Sequence, residues 1–195
     1  EFYTSYTPYQ AEVSQGTLQY LYEFQSMISE LSGLDVSNAS LYDGASALAE
    51  ACSMALNITN KSKILIAATL NANYMHVVKT YLSYRNVDFE LISEKSGYSD
   101  MEYLKKVDFK EFACVVVQSP NCYGLIESWS SYSNFINQES LLIAVSDPLS
   151  LSLIKSPGES GADIYCGEGQ SLGNYMNFGG PFLGLLSSKL DYVRK

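Results

Sequence analysis

The sequence predicts an α/β domain with a mostly parallel sheet flanked by helices, and two observations lead to this prediction. Short, continuously apolar runs occur at residues 63–68, 114–118 and 141–145, and such runs are typical of strands buried on both faces of a parallel sheet. The segments between them carry apolar residues at helical spacing. Buried strands that alternate with helices favour parallel pairing through right-handed crossovers.

Each element has its own signal. The first helix, residues 15–32, has Leu18, Leu21 and Ile28 near helical spacing, and it ends at Gly33, a residue that commonly terminates helices. The second helix is rich in Ala, Leu and Met, which are strong helix formers. Helices are expected at residues 15–32, 45–56, 74–84, 101–106 and 130–138. Strands are expected at residues 63–68, 87–92, 114–118, 141–145 and 162–166.

Composition restricts the function classes. The 195 residues suit one compact domain, which we expect to span residues 1–195. A net charge of −9 with two arginines offers no basic face for nucleic acid, and no apolar run is long enough to cross a membrane. One histidine and four cysteines without a CxxC pair predict no metal site. We expect a cytoplasmic piece of a longer polypeptide, without a signal peptide and with reduced thiols.

Four segments are candidates for a ligand site, because ligands in parallel sheets bind beyond the carboxyl ends of the strands. The first, Asp43-Gly44-Ala45-Ser46, opens a helix. It is either an anion site, with backbone N–H groups at the positive helix end, or a turn with Asp43 as the N-cap. The second, residues 119–124, follows a strand and is either part of the site or a strand-ending turn.

The third candidate is Asp147, which follows a buried strand directly. It fits two roles: a cap for the next helix, or the partner of a protonated ring nitrogen in a cofactor. The fourth comprises residues 167–174 and 178–181, where many glycines indicate unusual backbone angles beside a closely approaching group, or a mobile surface loop. Residues 167–173 match neither a P-loop nor a dinucleotide fingerprint, and His76 lies mid-helix without a catalytic partner nearby in sequence.

Six sequence blocks, taken in order, carry a family resemblance. They are FYTSYTPYQAEVSQG from Phe2, YDGASALAEA from Tyr42, VQSPN from Val117, DPLSL from Asp147, GADI from Gly161, and GEGQSLG with FGGP from Gly167 and Phe178. Together they resemble the P-protein family of the glycine cleavage system, and the chain is similar to the central part of its α subunit. The resemblance runs along the whole chain and is looser over residues 58–112.

The resemblance implies the large domain of fold-type I PLP enzymes, the aspartate aminotransferase class. In the split form of the family, this α subunit pairs with a PLP-bearing β subunit whose lysine forms the Schiff base. Counted back from Gly179-Gly180-Pro181, that lysine position falls on Gln170, and no lysine occurs between Ser156 and Ser188. An amide nitrogen cannot condense with an aldehyde, so the resemblance implies PLP on the partner and none covalently on this chain.

The resemblance further implies an enzyme that decarboxylates glycine and passes the aminomethyl group to the lipoyl group of the H-protein. This chain alone is expected to be inactive. Gly44, Ala45 and Ser46 would be a vestigial phosphate site, and Asp147 a vestigial partner of the PLP ring. Six residues are expected to line the partner's pocket or the lipoyl channel: Tyr6, Tyr9, Gln10, Glu12, Ser14 and Gln15. The alternatives are that these residues only make subunit contacts, that the chain is a non-catalytic scaffold, or that it binds PLP without activity.

Overall fold

A computed structural model describes residues 7–136 and 138–194. The helices are α1 (Gln15–Ser32), α2 (Gly44–Thr59), α3 (Ala72–Tyr81), α4 (Met101–Leu104) and α5 (Trp129–Ile136). The strands are β1 (Val36–Ser37), β2 (Lys63–Ala67), β3 (Asp88–Ile92), β4 (Glu94–Lys95), β5 (Tyr98–Ser99), β6 (Phe112–Gln118), β7 (Leu141–Val145), β8 (Ile164–Glu168) and β9 (Gly184–Ser188).

The main sheet has seven strands in the order β1-β9-β8-β7-β6-β2-β3, and β4 and β5 form a separate hairpin. From β3 to β8 in that order the neighbours are parallel, whereas β9 is antiparallel to β8 and to β1. The prediction of an α/β fold with a mostly parallel sheet is therefore confirmed. The carboxyl ends of β2, β6, β7 and β8 consequently meet at one edge, which we call the carboxyl edge.

Both faces of the sheet are buried, as the continuous apolar runs predict. Alternate residues of the strands, such as Ile143 and Leu142, belong to two different core clusters. The cluster containing Ile143 includes α2 and α3, and the cluster containing Leu142 includes α1, α4 and α5. Ala47, Ala51 and Ala55 are fully buried along α2, and their small side chains let that helix approach the sheet closely.

Helix α1 has the predicted bounds and the predicted terminator. Gly33 has φ 68°, a left-handed conformation, and its N–H donates to the carbonyls of Ser29 and Glu30 at the helix end. A Cβ at this position would lie 2.5 Å from the Ser156 hydroxyl oxygen, so a larger residue would also have to displace that side chain. Of the apolar residues that predicted the helix, Ile28 is buried but Leu18 is 40% exposed.

The strand predictions differ from the structure in several places. Strand β6 begins at Phe112 rather than at residue 114, and the short strands β1, β4 and β5 were not predicted. Strand β8 begins at Ile164 rather than at residue 162, and it continues through Gly167 and Glu168. Strand β9 was not predicted, because its sequence contains no β-branched or aromatic residue and follows a glycine-rich segment. Its position is fixed by pairing with β8 over Ile164–Glu168 instead of by local propensity. Within the described residues, no helix is long and apolar enough to span a membrane.

The buried sheet allows a direct test of the core. Leu142 on β7 is 1% exposed, whereas Leu153 is 91% exposed. We expect Leu142→Ala to lower the free energy of unfolding by about 2–5 kcal/mol, because it leaves a cavity in a packed core. Leu153→Ala should change it by less than about 0.5 kcal/mol. Urea denaturation of the two variants measures both values, and equal losses would contradict the assigned burial.

Candidate ligand site at the carboxyl edge

The carboxyl edge brings together three of the four segments singled out in the sequence. Asp147 follows the end of β7, Glu168 ends β8, and the N-terminus of α2 lies against Glu168. These groups meet because β7 and β8 are parallel neighbours and α2 packs over β8. The sequence placed Glu168 in a loop, but the structure makes it the last residue of β8, so its position is set by the sheet.

The N-terminus of α2 is capped by its own sequence. Asp43 is the N-cap, and its Oδ1 accepts a hydrogen bond of 2.6 Å from the backbone N–H of Ser46. The Asp43 N–H donates in turn to the Ser46 hydroxyl oxygen at 3.1 Å, which completes a capping box. Of the two roles that the sequence left open for this segment, the cap is the one seen in the hydrogen bonds.

Glu168 supplies a second carboxylate to the same helix end. Its Oε2 accepts a hydrogen bond of 2.8 Å from the backbone N–H of Gly44, the first residue of α2. Its Oε1 accepts from the backbone N–H groups of Gln170 at 3.0 Å and Leu183 at 2.8 Å. The carboxylate therefore joins α2 to both ends of the glycine-rich segment, residues 169–183.

The space in front of Gly44 is filled by the protein itself. A Cβ added at Gly44 would collide with the Tyr74 hydroxyl oxygen and would lie 2.9 Å from the backbone nitrogen of Glu168. Glycine is thus required here by the close approach of α3 and β8. Burial raises the pKa of Tyr74, and the nearby carboxylates of Glu168 and Asp43 raise it further, so the phenol stays neutral at physiological pH.

Asp147 is exposed and caps the 3₁₀ helix Pro148–Ser152. Its Oδ1 accepts from the backbone N–H of Leu149 at 2.9 Å and from the Ser171 hydroxyl at 2.9 Å. Ser171 follows Gln170, so the two positions to which the resemblance assigned cofactor roles lie close together. The Gln170 side chain donates from Nε2 to the Pro181 carbonyl at 3.2 Å.

The remaining candidate segment, residues 119–124, is organised by a residue that the sequence reasoning missed. Glu127 is 5% exposed, and its Oε1 accepts from Thr69, Ser99 and Asn121, while its Oε2 accepts from Tyr132. A buried carboxylate needs such donors, because an unpaired charge is costly inside a protein. Two of its donors, Thr69 and Ser99, lie 58 and 28 residues before it in the sequence. The local sequence therefore could not show this network.

The described N-terminal residues assigned to a partner's pocket lie before α1 or at its first residue, Gln15. Tyr9 is 76% exposed, and Gln10, Glu12 and Gln15 are also exposed, while Ser14 is half-buried at the N-cap position of α1. The Gln10 carbonyl accepts from the N–H groups of Val13 and Ser14 in a turn that leads into the helix. Tyr6 lies outside the described residues.

Carboxylates at the carboxyl edge are stabilised by hydrogen-bond donors rather than by cations. Three salt bridges occur within residues 7–136 and 138–194, and none includes Asp43, Asp147 or Glu168: Lys63–Glu111, Lys105–Glu102 and Lys189–Asp163. The same part of the chain contains no cluster of three metal-ligating side chains. Within the described residues, Asp43, Asp147 and Glu168 therefore have no lysine or arginine at salt-bridge distance.

Comparison with known proteins identifies the family. The glycine cleavage system P-protein family matches residues 1–195, the whole chain. This chain belongs to the P-protein family. The P-protein relative from Syntrophomonas wolfei, named "Probable glycine dehydrogenase (decarboxylating) subunit 1", is 49% identical over 196 residues, and the match covers 100% of this chain and 45% of that protein. The protein of the same name from Desulfitobacterium hafniense is 50% identical, with 100% and 44% covered.

Solved structures agree with this assignment. A glycine decarboxylase (P-protein) crystallised in inhibitor-bound form superimposes with a TM-score of 0.93 at 44% identity, over 100% of this chain and 44% of that one. A cysteine desulfurase from Thermococcus onnurineus shares the fold, with a TM-score of 0.71 at 14% identity over 93% of this chain and 46% of that one. The chain spans less than half the length of the P-protein relatives that it matches.

The capping box at α2 can be tested by removing the acceptor oxygen of Asp43 or by keeping it without its charge. Asp43→Ala should lower the free energy of unfolding by about 0.5–2 kcal/mol, because the Ser46 N–H loses its acceptor. Asp43→Asn keeps an acceptor oxygen and is an equally good N-cap, so we expect little change from it. Thermal denaturation of both variants gives the comparison. An equal loss in Asp43→Asn would show that the carboxylate charge matters more than the cap.

Proposed function

We propose that this chain is part of the α subunit of glycine dehydrogenase (decarboxylating), the subunit that does not form the Schiff base. The identity of about half of all residues to proteins named subunit 1 carries this proposal. In the proposed assembly, a PLP-bearing β subunit completes the enzyme, which releases the carboxylate of glycine as CO2 and passes the aminomethyl group to the lipoyl group of H-protein. Residues 1–195 would form one domain of the longer chain.

PLP would supply an electron sink for the carbanion that decarboxylation leaves, and we place it on the partner subunit. The residues of this chain do not fit PLP. Gln170 has no amine for a Schiff base, and no lysine occurs between Ser156 and Ser188. Asp147, the proposed vestige of a ring-nitrogen partner, is already bonded to Leu149 and Ser171. Gly44, within the proposed vestigial phosphate site, donates to Glu168.

The contribution of this chain would be support in trans. Tyr9, Gln10, Glu12 and Gln15 are exposed polar or aromatic side chains before α1 or at its first residue, so a partner can reach them. Together with Ser14 and Tyr6, they would line the glycine pocket of the β subunit or the channel for the lipoyl arm. Tyrosine and glutamine side chains can donate hydrogen bonds to a carboxylate, which is the chemistry that holds glycine in place.

A second candidate is a scaffold that stabilises the β subunit and touches neither glycine nor lipoyl. The observation in its favour is a set of large apolar side chains that the described residues leave exposed in the glycine-rich segment. Tyr175, Met176 and Phe178 are each at least 79% exposed. Contiguous exposed apolar groups of this size commonly mark a surface that another protein covers.

The cofactor assignment is tested by mapping the Schiff base. The full-length protein is titrated with PLP, alone and with its β subunit, and is then reduced with borohydride and digested for mass spectrometry. We expect the reduced pyridoxyl group only on a lysine of the β subunit, because Gln170 cannot condense with the aldehyde. A stoichiometric label on a lysine of residues 1–195 would contradict the proposed role of this chain.

Support in trans and a pure scaffold are separated by Tyr9→Phe in the assembled enzyme. The exchange of the glycine carboxyl group with CO2 should fall by about tenfold or more if the Tyr9 hydroxyl binds substrate, since one hydrogen bond to a charged group is worth about 1.5–3 kcal/mol. Tyr84→Phe is the matched control, because Tyr84 is 80% exposed near the end of α3. Unchanged exchange in Tyr9→Phe favours the scaffold.

A further inference from the structure

Helix α2 receives two carboxylates at its N-terminus, and one of them comes from outside the local capping box. The capping box between Asp43 and Ser46 already satisfies the local geometry of the helix start. Glu168 comes from β8, 124 residues away in sequence, and binds the first N–H of the helix. A helix N-terminus is the place where proteins bind phosphate or carboxylate groups, so this helix holds an anion that the chain itself provides.

We propose that Glu168 is a built-in anion that closes the N-terminus of α2 against phosphate groups and ties the glycine-rich segment to this helix. The inference goes beyond the proposed function, because it holds whatever reaction the assembled protein catalyses. It rests on three hydrogen bonds: from the N–H groups of Gly44, Gln170 and Leu183 to the two oxygens of one carboxylate.

The charge of Asp43 and Glu168 closes the site, and protein atoms pack closely against the Gly44 Cα. A phosphate at Gly44 would have to displace the Glu168 carboxylate and would then lie beside Asp43, and no lysine or arginine forms a salt bridge with either residue in the described chain. The Tyr74 hydroxyl and the backbone of Glu168 occupy the space that even a Cβ on Gly44 would need. A neutral tyrosine hydroxyl does not offset the charge of a second anion.

The same carboxylate anchors the glycine-rich segment at both ends. Gln170 lies at its beginning and Leu183 at its end, and the Gly169 N–H also donates to the Leu183 carbonyl at 2.7 Å. Between these anchors, Tyr175, Met176 and Phe178 are exposed. Loss of the carboxylate would therefore leave three backbone N–H groups without this acceptor and would release the segment from α2.

The first experiment removes the carboxylate from the full-length protein. Glu168→Ala should lower the melting temperature by about 5 °C, because hydrogen bonds to a charged group are lost. Excess sodium formate, which can place a carboxylate in the emptied space, should recover at least half of that shift, and inorganic phosphate should also raise the melting temperature. Asp100→Ala is the matched control, since Asp100 caps α4 through a single N–H bond of 3.0 Å from Glu102.

The deciding comparison is the change in melting temperature that formate and phosphate cause in each of the three proteins. The proposal is supported if formate stabilises Glu168→Ala but stabilises neither the wild type nor Asp100→Ala. Because all three proteins are measured in the same salt, this result excludes a general salt effect. Equal effects of formate in all three proteins would overturn it. Saturable stabilisation of the wild type by inorganic phosphate would overturn it as well, because the site would then be open.

A second variant keeps Glu168 and so does not depend on a destabilised protein. Gln170→Lys supplies the amine that the chain lacks at this position. If Glu168 closes the phosphate position, PLP followed by borohydride should leave position 170 at least tenfold less labelled than the lysine of the β subunit. Labelling of position 170 to the same extent would refute the closure, while leaving untouched the proposal that the wild-type chain is the non-Schiff-base subunit.

Discussion

Burial of the parallel sheet on both faces is the constraint on which the rest of the molecule depends. Strands such as β7 have no polar face to present to water, so helices must cover each side. The crossover between two parallel strands returns the chain to the same end of the sheet. The segments that follow β2, β6, β7 and β8 are therefore collected at one edge. Asp147 and Glu168 lie there as a consequence of topology, because one follows β7 and the other ends β8.

These carboxylates define the electrostatic character of the edge. Each accepts hydrogen bonds from backbone N–H groups: Asp147 from Leu149, and Glu168 from Gly44. Such bonds hold the charge in place without cancelling it, whereas a lysine or arginine partner would do both. In a chain with net charge −9, this arrangement stabilises the loops around the edge and at the same time disfavours an anionic ligand.

The sequence predicted those features that have a local cause. Leu141–Val145 and Gln15–Ser32 were predicted at their observed bounds, because an unbroken apolar run and a helical period ending at Gly33 each carry their own signal. Strand β9 could not be predicted, since its Leu-Leu-Ser-Ser sequence is a strand only through pairing with β8. The contact between Glu168 and Gly44 could not be predicted either, because the two residues are 124 positions apart in the sequence. The roles assigned to Tyr9 and to Gln170 stay predictions.

The N-terminus of α2 has a hydrogen-bonding requirement that its own cap does not meet in full. The first N–H groups of α2 have no partner within the helix, and the positive end of its dipole points at the carboxyl edge. Asp43 satisfies Ser46, but the Gly44 N–H still needs an acceptor, and it is enclosed by Tyr74 and β8. A carboxylate at the end of β8 meets that need at a distance of 2.8 Å. The fold thus satisfies this helix terminus with a carboxylate of its own, and the same carboxylate fixes the glycine-rich segment beside it.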